Sequence, residues 1–238
     1  MEPHILIRYA SRSRPARFFE GLHSIVDLMN NKTACTVCCI LDDDDRSMTP
    51  KVDMYARLSE EIGVKFDNCL LNFGKSKSKI DAINRDIGDN DWDILVNFSD
   101  DMRFTVYGWD TLIRDGFRCN GDDLFLHYPD STAKGMLSTM SIMDRKYFER
   151  DGYIYHPSYK SLWCDNEAQD VAKLRGRYRY MGIQLFDHFH PAYGMAEWDE
   201  QYHRQQKDWS DDEKNYYYRK ANNFFLNDTE YSHSDYIG

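Results

Sequence analysis

The run Thr33-Ala34-Cys35-Thr36-Val37-Cys38-Cys39-Ile40-Leu41 is almost wholly apolar and stops abruptly at Asp42-Asp43-Asp44-Asp45. A strand without polar alternation is buried on both faces, which happens in parallel sheets covered by helices on each side. Three more segments read the same way: His4 to Ala10, Val64 to Phe73, and Ile94 to Ser99. Between them lie amphipathic patterns. Ser13 and Pro15 open a helix whose apolar face is Phe18, Phe19, Leu22, Ile25, Val26 and Met29. Pro50 opens a second that stops at Gly63, and the loop Gly74-Lys75-Ser76-Lys77-Ser78-Lys79 feeds a third through Ile80, Ile83 and Ile87. Strand, helix, strand, helix, strand, helix, strand is the order of a parallel α/β sheet with right-handed crossovers.

The second half is more mixed. Helices are expected over Tyr107 to Phe117, around Tyr147, and over Asp165 to Arg175; strands over Asp123 to Tyr128, Leu137 to Met143, and Tyr178 to His190. Residues 1–195 read as one catalytic-sized domain. Residues 196–238, rich in Trp and Tyr, read as a tail that packs on it or extends it.

The net charge of −10 opposes long-range attraction to nucleic acid and anionic membrane. No run of about 18 apolar residues is present, and Met1-Glu2-Pro3-His4 lacks the start of a secretory signal, so a cytoplasmic protein is expected. Cys35 and Cys38 form a CxxC string. On a strand, residues three apart face opposite sides, so these are expected to be reduced core thiols rather than a redox or zinc pair. The basic stretch Lys173 to Arg179 is read first as a helix end complementing the dipole, and second as a nucleic-acid contact.

The chemistry is concentrated where apolar runs end. Ile94-Leu95-Val96-Asn97-Phe98 runs into Ser99-Asp100-Asp101. In an open α/β sheet, ligands bind at the carboxyl ends of the strands. Adjacent carboxylates repel unless a cation lies close, so a divalent metal holding a phosphorylated ligand is the working expectation. Asp42 to Asp45, Asp165-Asn166-Glu167, and His188-Phe189-His190-Pro191 are further candidates. Read alone, each is equally a solvated loop, a helix cap, or a structural histidine pair.

In sequence order these pieces resemble a GT-A glycosyltransferase of the family-two type, in the compact form common in phage and bacterial genomes. The likeness rests on Ile7 to Pro15, the acidic end of the second strand, Gly74 to Lys79 with Ala82 and Asn84, Ser99-Asp100-Asp101-Met102, Tyr153 to Tyr159, Trp163 to Glu167, and His188 to Pro191. It implies a GT-A fold, a mainly parallel central sheet flanked by helices with a mixed C-terminal half. It also implies a metal-dependent, inverting transfer of a sugar, a hexose by expectation, from a nucleotide-sugar to an acceptor hydroxyl. Asp42 and Asp44 would read the base, with uracil expected, and Asp100 would face the ribose. Ser11, Arg14 and Lys79 would complete the nucleotide-sugar site. Asp101 and His190 would hold Mn²⁺ or Mg²⁺. Asp165 would be the base, with Glu167 as the competing assignment, and Trp163 would meet the acceptor. The acceptor itself stays open, with a hydroxymethylated DNA base or a glycan as candidates. A sugar nucleotidyltransferase is the alternative enzyme, although no glycine-rich loop follows the first strand. A non-catalytic nucleotide-sugar binding protein is the other alternative.

Overall fold

The structure is a computed structural model that describes residues 2–48, 51–63, 66–87, 91–132 and 136–227. Its centre is a sheet of β1 (Ile5–Ala10), β2 (Cys35–Asp42), β3 (Cys69–Gly74), β4 (Ile94–Ser99), β6 (Phe125–His127), β7 (Ile142–Asp144) and β8 (Tyr178–Tyr180). The spatial order is β3-β2-β1-β4-β7-β6-β8. The first four strands are mutually parallel; β7 runs antiparallel to both β4 and β6, and β6 pairs parallel with β8. A second small sheet joins β5 (Met102–Phe104) to β9 (Phe186–His188), antiparallel.

Alternating residues of the central strands feed two apolar cores. Ile5, Ile7, Tyr9, Cys35, Val37, Cys39, Val96 and Phe98 join one; Leu6, Cys38, Ile40 and Leu95 join the other. Cys35 and Cys38 thus lie on opposite faces, and all six cysteines are free thiols. Helix α1 (Pro15–Asp27) buries Phe18, Phe19, Leu22, Ile25 and Val26. Its N-cap is Arg14 rather than Ser13, and no side chain caps it. Ser13 instead takes a left-handed φ of 60° and donates its N–H to Asp45 Oδ2 at 2.6 Å.

Helix α2 (Lys51–Leu58) continues as a π turn through Ser59–Gly63, so the helix reaches its expected stop. The expectations for Pro50 and for Val64 fall outside the described residues. Ser78 caps α3 (Lys79–Asn84) by accepting from the Asp81 N–H. The far end of α3 is tied down by the fully buried Arg8 of β1, whose guanidinium donates to the Ile83 and Arg85 carbonyls. These are the carbonyls a helix end leaves unpartnered.

Helices α4 (Trp109–Asn120), α5 (Arg145–Phe148) and α6 (Cys164–Leu174) follow the expected pattern with shifted ends. The expected strand Tyr178 to His190 is two strands in two sheets. Gly182, at φ 66°, lies between them, and Phe186–His188 leaves β8 to pair with Met102–Phe104. The expected strand from Leu137 is shortened to Ile142–Asp144, because the Ser138 N–H goes to the Gln169 side chain at 2.8 Å instead of a ladder.

The tail forms α7 (Glu200–Gln206) and α8 (Trp209–Ala221). Asp212 accepts from the backbone N–H groups of Lys160, Ser161 and Leu162 at 3.0, 2.9 and 2.9 Å. Arg219 grips Glu167 through two hydrogen bonds, at 2.7 and 2.9 Å. No helix among the described residues is long and apolar enough to cross a membrane.

Candidate functional site

In register, β1 and β4 end together beside β2, which runs two residues further to Asp42: Ala10 lies opposite both Ile40 and Ser99. All three residues line a cleft at that edge, together with Ser11, Arg12, Arg14, Asp42, Lys79 and Asp100. A second cavity of about 340 Å³ adjoins it, lined by Asp101, Trp163, Asp165, His188 and His190. Lys79 and Ser99 line both. The acid pair therefore divides between two compartments, Asp100 facing one and Asp101 the other.

Asp100 is buried and engaged. It accepts from Ser11 Oγ at 2.8 Å and from Arg14 at 3.0 Å. Burial pushes its carboxyl above the usual range, the Arg14 charge opposes this, and the neighbouring Asp101 adds to it. Arg14 spans further. Its Nε and Nη2 donate to Asp199 at 2.8 and 2.7 Å, and its guanidinium sits 3.9 Å from the centroid of the Tyr202 ring. Arg14 thus ties the acid pair to the tail while lining the cleft.

Asp101 is held differently. Its Oδ2 lies 3.1 Å from the Tyr202 hydroxyl and 3.6 Å from His188 Nε2. The other ring nitrogen of His188 is 3.1 Å from Asp130 Oδ2, so one imidazole sits between two buried carboxylates. Burial disfavours the His188 cation, but the Asp101 and Asp130 charges raise it to about 9. Burial likewise disfavours the Asp101 anion, and the His188 charge outweighs this, holding the carboxyl well below the ordinary range. Asp101 Oδ1 is buried with no hydrogen-bond partner. His190 lies beyond the end of β9, where it caps a 3-10 turn at Pro191–Tyr193, yet its ring is 5.6 Å from that of His188. Burial lowers it to about 4, leaving a neutral imidazole.

Among the described residues, no three His, Cys, Asp or Glu side chains gather into a ready-made metal cage. The donor set still fits a hard divalent ion of the Mg²⁺ or Mn²⁺ kind, which takes one or two carboxylates and fills its shell with phosphate oxygens and water. The partnerless Asp101 Oδ1 would supply that carboxylate oxygen, and the neutral His190 lines the same cavity.

Asp165 stands in the first turn of α6 and lines the Asp101 cavity. Burial raises its carboxyl above the ordinary range, against the pull of the Asn166 N–H at 2.9 Å and the Lys79 charge. Lys79 has no ion-pair partner within 4 Å among the described residues, and its charge bears on Asp101, Asp165 and His190. Glu167 is placed elsewhere. It is buried, and Tyr159 and Arg219 occupy both its oxygens, at 2.7 Å each on Oε2 and 2.9 Å on Oε1. It does not line the Asp101 cavity.

Asp42 and Asp44 share Arg12, which donates at 2.7 Å to each and at 3.0 Å to the second oxygen of Asp44. Asp42 is buried in the cleft wall, its Oδ1 accepting no hydrogen bond and lying 3.7 Å from Arg85 Nη1; Asp44 is 71% exposed at its side chain. Trp163 takes a left-handed φ of 61° at the N-cap of α6 and packs on Trp209, Tyr216 and Tyr217 while lining the cavity. The basic stretch is tied internally, Arg175 to Asp151 at 2.7 Å and Arg177 to Asp123 at 3.3 Å. Arg12, a candidate phosphate contact by sequence, is instead held by Asp42 and Asp44. Asp130, Asp199 and Tyr202 were not picked out from the sequence as parts of the site. Their only local signals are ordinary charge and aromaticity, and their roles come from contacts across up to 185 positions.

No protein-family model and no curated protein sequence matches the chain. Solved structures do resemble it. The mannosyltransferase PcManGT from Pyrobaculum calidifontis, in complex with GDP-Man and Mn²⁺, aligns at a TM-score of 0.59 and 14% identity over 77% of this chain. S. aureus TarS aligns at 0.60 and 11% over 78%, and TarS 1-349 in complex with UDP-GlcNAc at 0.57 and 12% over 77%. The chain spans 55% of PcManGT and 36% of the first TarS chain, about half or less of these proteins. At such identities the likeness concerns the backbone. The fold is a mixed α/β, mostly parallel sheet flanked by helices, that of the GT-A glycosyltransferases.

Proposed function

We propose that this protein is a nucleotide-sugar-dependent glycosyltransferase that transfers a hexose with inversion. The observation that carries the reading is the pairing of compartments. One cleft offers Ser11, Asp42 and Asp100 to a nucleotide, and the adjoining cavity sets Asp101 and Asp165 around the space where a sugar would sit, with Lys79 between them.

In this reading Asp42 meets the base, its Oδ1, which accepts no hydrogen bond within the protein, accepting from a ring N–H, and uracil is the base proposed. Asp44 stands behind it through Arg12. Asp100, oriented by Ser11 and Arg14, faces the ribose. Asp101 and His190 would hold Mn²⁺ or Mg²⁺, which when bound supplies electrophilic stabilisation of the departing diphosphate. Lys79 adds a fixed positive charge beside that leaving group. Asp165 accepts the acceptor hydroxyl's proton as that oxygen forms its bond to the anomeric carbon. The bond from anomeric carbon to phosphate oxygen breaks, and the diphosphate leaves with the electron pair. Burial raises the Asp165 carboxyl above its ordinary value, which makes it a stronger base than a solvated aspartate. Glu167, saturated by Tyr159 and Arg219, serves instead as the anchor of the tail.

The test is incubation with Mn²⁺ and a panel of UDP- and GDP-sugars. Release of nucleoside diphosphate supports the reading. Release of pyrophosphate would assign a nucleotidyltransferase, and binding without turnover would assign a binding protein.

A further inference from the structure

We propose that the acceptor is a neutral saccharide, bound on a platform that the tail helices build at the mouth of the Asp165 cavity. The inference rests on the transferase reading for the identity of the bound group as acceptor. Trp209, the first residue of α8, lines this cavity beside Trp163, with ring centroids 5.5 Å apart at 68°. Tyr193 completes an aromatic rim, and it is 50% exposed, while Trp209 is 43% exposed. The lining of the same cavity includes the carboxamides of Asn166, Gln205 and Gln206. Aromatic faces for the apolar side of a pyranose, with uncharged donors and acceptors for its hydroxyls, form a surface matched to sugar. Trp163 reaches this position through a left-handed backbone, an arrangement that a non-glycine residue adopts at a cost and that clusters at ligand sites.

Charge separates this occupant from a polyanion. Two cations of the surrounding surface are already neutralised. Lys160 bridges Asp208 and Asp211 at 3.5 and 3.1 Å, and Lys220 pairs with Asp170 at 2.7 Å. In the turn between α6 and β8, Arg175 and Arg177 are likewise bound to Asp151 and Asp123. Lys79 lies deeper, among the carboxylates the donor uses. Among the described residues lining this cavity Lys79 is the one Lys or Arg, so a phosphate backbone, which is held by a series of unpaired Lys and Arg, finds no such series there.

The experiment has two arms. Saturation-transfer NMR with maltose, cellobiose and N,N′-diacetylchitobiose reads binding directly. Mass spectrometry of transfer to the same saccharides and to duplex DNA carrying 5-hydroxymethylcytosine reads chemistry. At least one saccharide is expected to bind. Trp209→Ala should weaken it about tenfold, the scale of one aromatic contact, and Trp209→Phe should restore most of it with an unchanged far-UV circular dichroism spectrum. Absence of saccharide binding, equal binding by a folded Trp209→Ala, or transfer to DNA alone overturns the proposal. Saccharide binding that depends on Trp209 without turnover of any sugar nucleotide supports the platform and sinks the transferase reading instead.

Discussion

The hydroxyl of Tyr202, carried by the tail helix α7, lies 3.1 Å from Oδ2 of Asp101, at the end of the fourth strand. A segment that reads as an appendage thus reaches the centre of the acid pair. Arg17 donates to the same hydroxyl at 2.7 Å, and the Arg14 guanidinium covers the ring. Tyr202→Phe keeps the ring and removes the hydrogen bonds. The expected cost is about 1 kcal/mol, read as a fall of roughly 2–4 °C in thermal midpoint. An unchanged midpoint would mean that the hydroxyl contributes nothing to docking the tail.

Asp101→Ala removes the carboxylate proposed to hold the metal. Calorimetry with Mn²⁺ and UDP should show loss of the metal-dependent part of nucleotide binding, while any metal-independent part remains. Retention of full metal-dependent affinity would move the ligand role to His190 or elsewhere.

Asp165→Asn should lower transfer by on the order of a hundred- to ten-thousand-fold, the contribution of a general base, with donor affinity kept. The acid limb of the wild-type rate profile should lie above the ordinary carboxylate range, because burial raises Asp165. The stability effect has the opposite sign. A carboxyl raised on folding favours the fold when protonated, and that contribution is lost as pH rises through the folded value. Asp165→Asn should therefore be more stable than wild type at pH 7, with the gap closing in acid below the unfolded value. A wild-type transfer rate in the variant would dismiss Asp165 as base.

Glu167→Gln separates the two carboxylates of the α6 helix. Glu167 and Arg219 are both buried, at 4% and 9% exposure. Leaving Arg219 without its anion should cost about 3–5 kcal/mol, or on the order of 10 °C in midpoint. The turnover of the folded fraction at low temperature should stay within about twofold of wild type. Lost turnover in a protein of normal stability would return the base role to Glu167.

The first half of the fold was legible because its cause is local. Runs such as Ile94 to Phe98 cannot be solvated, and their alternation with amphipathic helices admits few arrangements other than a parallel sheet. For the same reason Ser11, Asp42, Asp100 and Lys79 could be placed at one edge: each follows or opens an element whose direction was already set. The strand from Tyr178 failed to hold together because composition does not report where Gly182 breaks it, nor that Met102–Phe104 offers a second partner. What the chain alone determined was the direction in which each carboxylate leaves the sheet. Which carboxylates stay available was decided in three dimensions, where Arg12 ties Asp44 to Asp42, Arg219 saturates Glu167, and Tyr202 and His188 meet one oxygen of Asp101 and leave the other bare. The physical reason is that a buried charge is defined by its partners, and these partners come from segments whose sequence carries no trace of the pairing.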